Sequence, residues 1–274
     1  MSAHLVVRGA RSPGIEWVHG RQARARRARL RTMQTVDLAT RDGVTVVTMQ
    51  RPPANALDPE LLEDGLAVLD ALEADPPPAV VLTGSGAFFS GGADLRVVPS
   101  LSPDEQAAMA RGVNRLFSGW HAFPRPVVCA VNGHAVAGGL VLALCGDYRV
   151  VSTSGQFGLT EVKVGIPYPS AAMDVVVSEL AAPTVRRLAL RGELFDSATA
   201  VALGLFDEVV PDDRVLPRAL EMAAELAALP PVTYSLVKQR LRGGKRETPT
   251  AASAMAEAHE AARRVLEGRP PNSA

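Results

Sequence analysis

Twice in this chain a short, unbroken apolar run ends in a turn built from small residues. Ala79-Val80-Val81-Leu82-Thr83 runs into Gly84 to Asp94, and Pro126-Val127-Val128-Cys129-Ala130-Val131 runs into Gly133 to Gly139. Apolar runs of this length bounded by glycine read as buried strands. Helix signals lie between and around them. Asp58-Pro59 supplies an N-cap and a proline at the first helical position, opening a helix to about Ala74 with Leu61, Leu62, Leu66, Leu69 and Leu72 on its buried side. Ser102-Pro103-Asp104-Glu105 is a capping box for a second helix reaching about His121. Strands alternating with helices make an α/β domain.

The rest of the chain extends this pattern. Val36 to Thr40 and Val44 to Met49 flank an Asp42-Gly43 step, the mark of a hairpin. The second turn leads into a helix from Leu140 to Cys145, and Tyr148 to Val151 returns to strand. Beyond Pro169 the chain reads as mainly helical, with one late strand from Phe206 to Val210 and helices near 213–228, 231–241 and 250–267. Residues 33–210 are expected to form the core, and 211–274 a helical region of the same fold.

Composition narrows the function classes. With 47% apolar residues the chain can bury a large core, which excludes disorder over most of its length. The longest nearly continuous apolar stretch, Ala135 to Cys145, is far short of the ~20 residues of a spanning helix. A membrane role is not expected. Two cysteines, Cys129 and Cys145, lie in apolar surroundings without Cys-x-x-Cys spacing, so neither a disulfide framework nor a metal site is expected, and a reducing, cytoplasmic setting fits.

The zero net charge conceals a basic head. Residues 1–32 carry eight arginines and Glu16 as their only acid, leaving +7 there and −7 in the remainder. A basic, acid-poor head suits a nucleic-acid or membrane arm or a targeting peptide. Hydrophobic periodicity begins only after Met33, however, and the preferred reading is a disordered, dispensable leader without nucleic-acid function. Only Lys163, Lys238 and Lys245 are lysine, a bias that fits a GC-rich genome better than a binding surface.

The glycine turns fit neither nucleotide fingerprint. A Gly-x-Gly-x-x-Gly after the first strand is absent, and so is Gly-Lys-Ser/Thr. Small residues do let a ligand approach the backbone, and two N–H donors facing one another would hold the negative charge of a carbonyl oxygen.

In Arg51-Pro52-Pro53-Ala54-Asn55-Ala56-Leu57, Ala87 to Leu95, Pro126 to Gly139, Cys145 to Arg149, Phe157 to Pro167 and Leu188 to Val210, the chain resembles the crotonase superfamily of enoyl-CoA hydratases and isomerases. The resemblance runs from about Val36 to Val265. It implies a spiral of ββα turns with a helical C-terminal region that joins subunits into a homotrimer or hexamer. It also implies acyl-CoA substrates, with coenzyme A entering as part of the thioester, no permanently bound cofactor and no metal. By position, the oxyanion donors are the N–H groups of Ala93 and Gly138. The loop Ala54, Asn55, Ala56 and Leu57 and the segment Gly91, Gly92, Asp94 and Leu95 flank the coenzyme A.

One departure carries more weight than the match. Hydratases of this family hold water between two glutamates; here the first position is Val141 and the second is Glu161. A valine can neither accept a proton nor orient water. The wording around Glu161 resembles the Δ3,Δ2-enoyl-CoA isomerases, in which one glutamate moves a proton between carbons, in fatty-acid β-oxidation or related acyl-CoA catabolism. A hydratase, another crotonase-type reaction and a non-catalytic acyl-CoA-binding protein remain as alternatives. Asp94, Asp147, His121 and His134 are expected to serve structure, and Tyr168 and Pro169 to reshape the acyl pocket.

Overall fold

The computed structural model describes residues 33–242. Ten strands form two sheets. The larger sheet has the order β1 (Val36–Arg41), β2 (Val44–Met49), β3 (Val80–Gly84), β5 (Val127–Val131), β7 (Tyr148–Ser152) and β10 (Glu208–Val210). Within this sheet only β1 and β2 pair antiparallel, joined at the Asp42-Gly43 turn with Arg41 opposite Val44. The smaller sheet has the order β4 (Phe88–Ser90), β6 (His134–Val136), β8 (Phe157–Gly158) and β9 (Leu194–Phe195).

The two sheets are threaded alternately. β3 and β4, β5 and β6, and β7 and β8 each place one strand in the large sheet and the next in the small one, with a helix following. These are α1 (Pro59–Ala74) before β3, α2 (Pro103–His121) after β4, α3 (Gly138–Leu144) after β6 and α4 (Glu161–Val164) after β8. This is the ββα spiral that the resemblance implied. The corners need glycine because backbones cross there: a Cβ on Gly133 would lie 2.0 Å from the Ala87 carbonyl oxygen.

Burial on both faces explains why the strands read as continuous apolar runs. In β5, Val127, Cys129 and Val131 face the main core, while Val128 and Ala130 face a second core on the sheet's other side. The main core is packed by α1, α2, α3 and α5 (Ser170–Glu179). The second is covered by α8 (Val215–Ala227) through Val215, Ala219 and Ala223. The chain between them adds α6 (Ala182–Arg191) and α7 (Ser197–Ala202), and α9 (Pro231–Arg242) closes the described part. Asp58 caps α1 by accepting from the Leu61 N–H at 2.8 Å, and Ser102 with Glu105 closes the capping box of α2.

The small sheet differs from the sequence reading, which placed β4 and β6 in the glycine turns, assigned no element at β8 and read the stretch holding β9 as helical. Strands of two or three residues carry no periodicity to read. The Arg-rich head 1–32 and the helix expected near 250–267 lie outside the described residues.

Candidate active site

The pairing of β4 with β6, Phe88 opposite His134 and Ser90 opposite Ala135, brings the two glycine turns side by side. The loop after β2 joins them. Gly91 N–H donates to the Ala54 carbonyl at 2.8 Å, Leu57 N–H to the Gly92 carbonyl at 2.7 Å, and Asp94 N–H to the Leu57 carbonyl at 3.0 Å. Leu57 thus bonds the residues on either side of Ala93 in a parallel bridge, and Ala93's own N–H points away from it.

Gly92 sits at φ +77°, and a Cβ there would lie 2.8 Å from both the Gly138 nitrogen and the Ala137 Cβ. Only glycine lets the backbones meet this closely. On the facing side Ala137 is held at φ 53°, ψ −131°, sparsely populated ground for a residue with a Cβ, and its N–H donates to the Gly158 carbonyl at 2.8 Å. That turn sets Gly138 as the first residue of α3, where the N–H has no acceptor within the helix. Among the described residues no hydrogen bond uses the N–H of Ala93 or Gly138.

Both residues line a cavity of about 230 Å³. Val98, Met109, Val113, Phe117, Val164, Ile166, Pro167 and Pro169 make its walls apolar, and among the described residues Glu161 is the one carboxylate lining it. Glu161 opens the single-turn helix α4, which Gly165 ends in the left-handed region at φ 72°. Burial raises the pKa of Glu161, against the lowering effect of its own N–H, the Thr160 N–H and the Tyr168 hydroxyl. Its Oε2 is enclosed without a hydrogen-bond partner. An apolar cleft lined by two residues whose N–H groups are unbonded and by one poorly solvated carboxylate holds the groups that can polarise a carbonyl and move a proton beside it.

The family model described as "Enoyl-CoA hydratase/isomerase" matches residues 39–264. The chain belongs to the enoyl-CoA hydratase/isomerase family. A Thermus thermophilus protein carrying an enoyl-CoA hydratase name is 39% identical over 204 residues, 72% of this chain and 80% of that one. A Bacillus subtilis protein of similar name is 31% identical over 78% of this chain and 84% of its own length. The apo structure of an Mtb enoyl-CoA isomerase superposes with a TM-score of 0.71 at 32% identity, covering 76% of this chain and 91% of that one. Pseudomonas aeruginosa DspI gives 0.76 at 27% identity, covering 88% and 97%. The crotonase-type fold is therefore shared with solved members of the family.

Of the residues singled out from the sequence, Ala93, Gly138, Glu161, Leu57, Gly91 and Leu95 line the cavity together. Ala54, Asn55, Ala56, Gly92 and Asp94 are not among its walls. Asn55 is wholly buried at φ 47°, its amide donating to the carbonyls of Ser85 (3.0 Å) and Phe88 (2.8 Å) and accepting from Arg51 N–H (2.9 Å). That ties the loop to the first turn. Asp94 pairs with Arg96 at 3.1 Å, and that guanidinium holds its pKa down. Val141 is fully buried in the main core and is not among the cavity's lining residues.

The α2 wall was missed. The capping box marked α2 as a helix, but nothing local showed that Met109, Val113 and Phe117 line the cavity as well as the core. Gln106 was missed too; its amide reaches the carbonyls of Val98 (3.3 Å) and Leu101 (3.0 Å) at the cavity's edge.

His134 accepts from Gln156 N–H at 3.1 Å and packs on Phe88. Both thiols are buried, and burial pushes that of Cys129 up to about 12 and that of Cys145 further. Among the described residues no group of three or more His, Cys, Asp or Glu is placed to hold a metal ion, and no helix is long and apolar enough to cross a membrane.

Proposed function

We propose that the protein is an enoyl-CoA isomerase that moves a double bond from the 3- to the 2-position of an acyl-CoA thioester. The N–H groups of Ala93 and Gly138 hold the thioester carbonyl oxygen as it gains negative charge. The Glu161 carboxylate removes a proton from C2, the electron pair passes into a dienolate, and the same carboxyl returns the proton to C4. No other reactant is consumed. Losing one donor of such a hole costs about 3 kcal/mol at the transition state.

The observation that carries this reading is a single carboxylate in the cavity among the described residues, with a buried valine at 141, the position of a hydratase's other acid. The loop 54–57 and the segment 91–95 would flank the coenzyme A. We place the activity in cytoplasmic acyl-CoA catabolism and expect a homotrimer or hexamer; light scattering showing a monomer at micromolar concentration would refute that assembly.

The hydratase reading keeps a place because several relatives carry hydratase names. Incubation with 3-enoyl-CoA and with 2-enoyl-CoA separates the two. Isomerisation lost in Glu161→Gln supports the proposal, and efficient hydration of 2-enoyl-CoA overturns it. Tight acyl-CoA binding with no turnover of either would favour a binding protein.

A further inference from the structure

Met109 borders two cavities. It is a wall of the one beside Glu161 and also of a second, of about 380 Å³, between α1 and α2. Neighbouring faces of α2 divide between them. Gln106, Ala110 and Val113 line the first, Glu105, Ala108 and Gly112 line the second, and Met109 stands at the seam. The segment before α2 divides in the same way, with Val98 on the first cavity and Leu101 on the second. The Gln106 amide donates to the carbonyls of both, at 3.3 and 3.0 Å, and so holds that segment against the helix.

Between the two spaces stand backbone fixed by hydrogen bonds and one buried, unbranched thioether side chain. Beyond it the groove is floored by hydrocarbon from Leu62 and Leu66 of α1 and from Leu101 and Ala108. The two helices meet tightly at Gly112, where a Cβ would lie 2.7 Å from Leu62 Cδ2. Glu63, Asp70 and Glu105 line the groove as well. Asp70 is paired with Arg115 at 3.1 Å, and Glu105 closes the capping box of α2. An apolar floor with carboxylates along it suits an uncharged hydrocarbon chain and repels an anion.

We propose that Met109 sets the length of the acyl chain: its side chain closes the cavity beside Glu161, and the α1–α2 groove behind it is a hydrocarbon subsite that a longer chain reaches only when that side chain is shortened. This rests on the reading of the protein as an acyl-CoA enzyme, but not on isomerisation over hydration. A water takes about 30 Å³ and a methylene is of similar size, so a cavity of about 230 Å³ holds about seven such groups, the thioester included. A dodecanoyl chain does not fit there.

The test is calorimetric titration of the full chain with butyryl-, octanoyl- and dodecanoyl-CoA, saturated thioesters that have no double bond to move. Each methylene entering an apolar cavity tightens binding by up to about fourfold. In the unmutated protein affinity should rise from butyryl to octanoyl and then gain less than about twofold from octanoyl to dodecanoyl. In Met109→Ala, dodecanoyl-CoA should bind at least about tenfold more tightly than octanoyl-CoA. Adding Ala108→Trp, which fills the groove, should abolish that gain. Should Met109→Ala fail to fold, Met109→Val keeps more of the core contact and should show a smaller shift in the same direction. An unmutated protein whose affinity keeps climbing to dodecanoyl overturns the proposal; so does a Met109 variant with the unmutated profile, or a gain that survives Ala108→Trp. If the saturated thioesters follow the expected profile while 3-enoyl-CoA is not turned over, only the isomerase reading fails. If none of them binds, the acyl-CoA reading and this proposal fall together.

Discussion

In the proposed reaction Glu161 would supply chemistry at a cost in stability. Burial raises its pKa above the ordinary 4.5, so the folded state takes up protons more readily than the unfolded chain does. Stability from this group is greatest at low pH and declines as pH rises through the window from 4.5 to the raised value. Glu161→Gln should therefore melt at a slightly higher temperature at neutral pH, while losing isomerisation by about 10²–10⁴-fold. Calorimetry and turnover on the same sample check both halves. In the unmutated protein, activity should rise with pH through the raised pKa, since the base must be ionised. Val141 behaves differently. From the sequence alone Val141→Glu is expected to gain some hydration if the pocket accepts an acid, but the residue is sealed in the core. Burying an unpaired charge costs several kcal/mol, so the variant should lose about 10 °C of melting temperature and add little hydration.

At the scale of elements, the site is two short turns pressed together by strand pairing. Gly92→Ala would push a methyl into the Ala137 Cβ and the Gly138 nitrogen at a backbone angle that suits glycine. The loss should appear as a drop in kcat of about 10²-fold or more, as when an oxyanion donor is misplaced, with acyl-CoA binding weakened less; equal turnover in the variant would contradict the hole. Legibility followed element length. α1 and α2 could be read because caps and proline stand at their starts, β3 and β5 because burial on both faces leaves unbroken apolar runs, and β2 from its alternation after the Asp42-Gly43 turn. The small sheet and α4 could not, since elements of two to four residues are held by contacts distant in sequence. β8, for example, exists because Ala135 meets Phe157. Of the candidate site, the meeting of Ala93, Gly138 and Glu161 at one cavity was legible through motifs in fixed order, whereas the α2 wall needed the packing of a whole helix.

At the scale of the molecule, α8 covers the back of the large sheet, and α9 is fastened by buried charge. Lys238 and Arg242 reach Asp147 at 2.8 and 2.9 Å, and Arg242 also meets Glu179 at 2.9 Å. His121 lies 3.0 Å and Arg149 3.5 Å from Glu179. Burial alone would raise the pKa of Glu179, but His121, Arg242 and Arg149 outweigh it and hold it low. A depressed carboxylate stabilises the fold above its unfolded pKa, and that contribution is lost as pH falls through the folded value. Thermal melts should thus drop steeply below about pH 4.5, and Glu179→Gln should flatten that acid limb while lowering the neutral melting temperature. A chain beginning at Met33 is expected to melt with the full chain, since hydrophobic periodicity begins only after Met33. The central claim is that one carboxylate shuttles a proton and no second one delivers water. Its most direct test is the partition of 3-enoyl-CoA by the unmutated protein, followed by mass and chromatography. The account predicts 2-enoyl-CoA of unchanged mass as the dominant product, with little gain of one water; a predominant 3-hydroxyacyl-CoA, one water heavier, would contradict it.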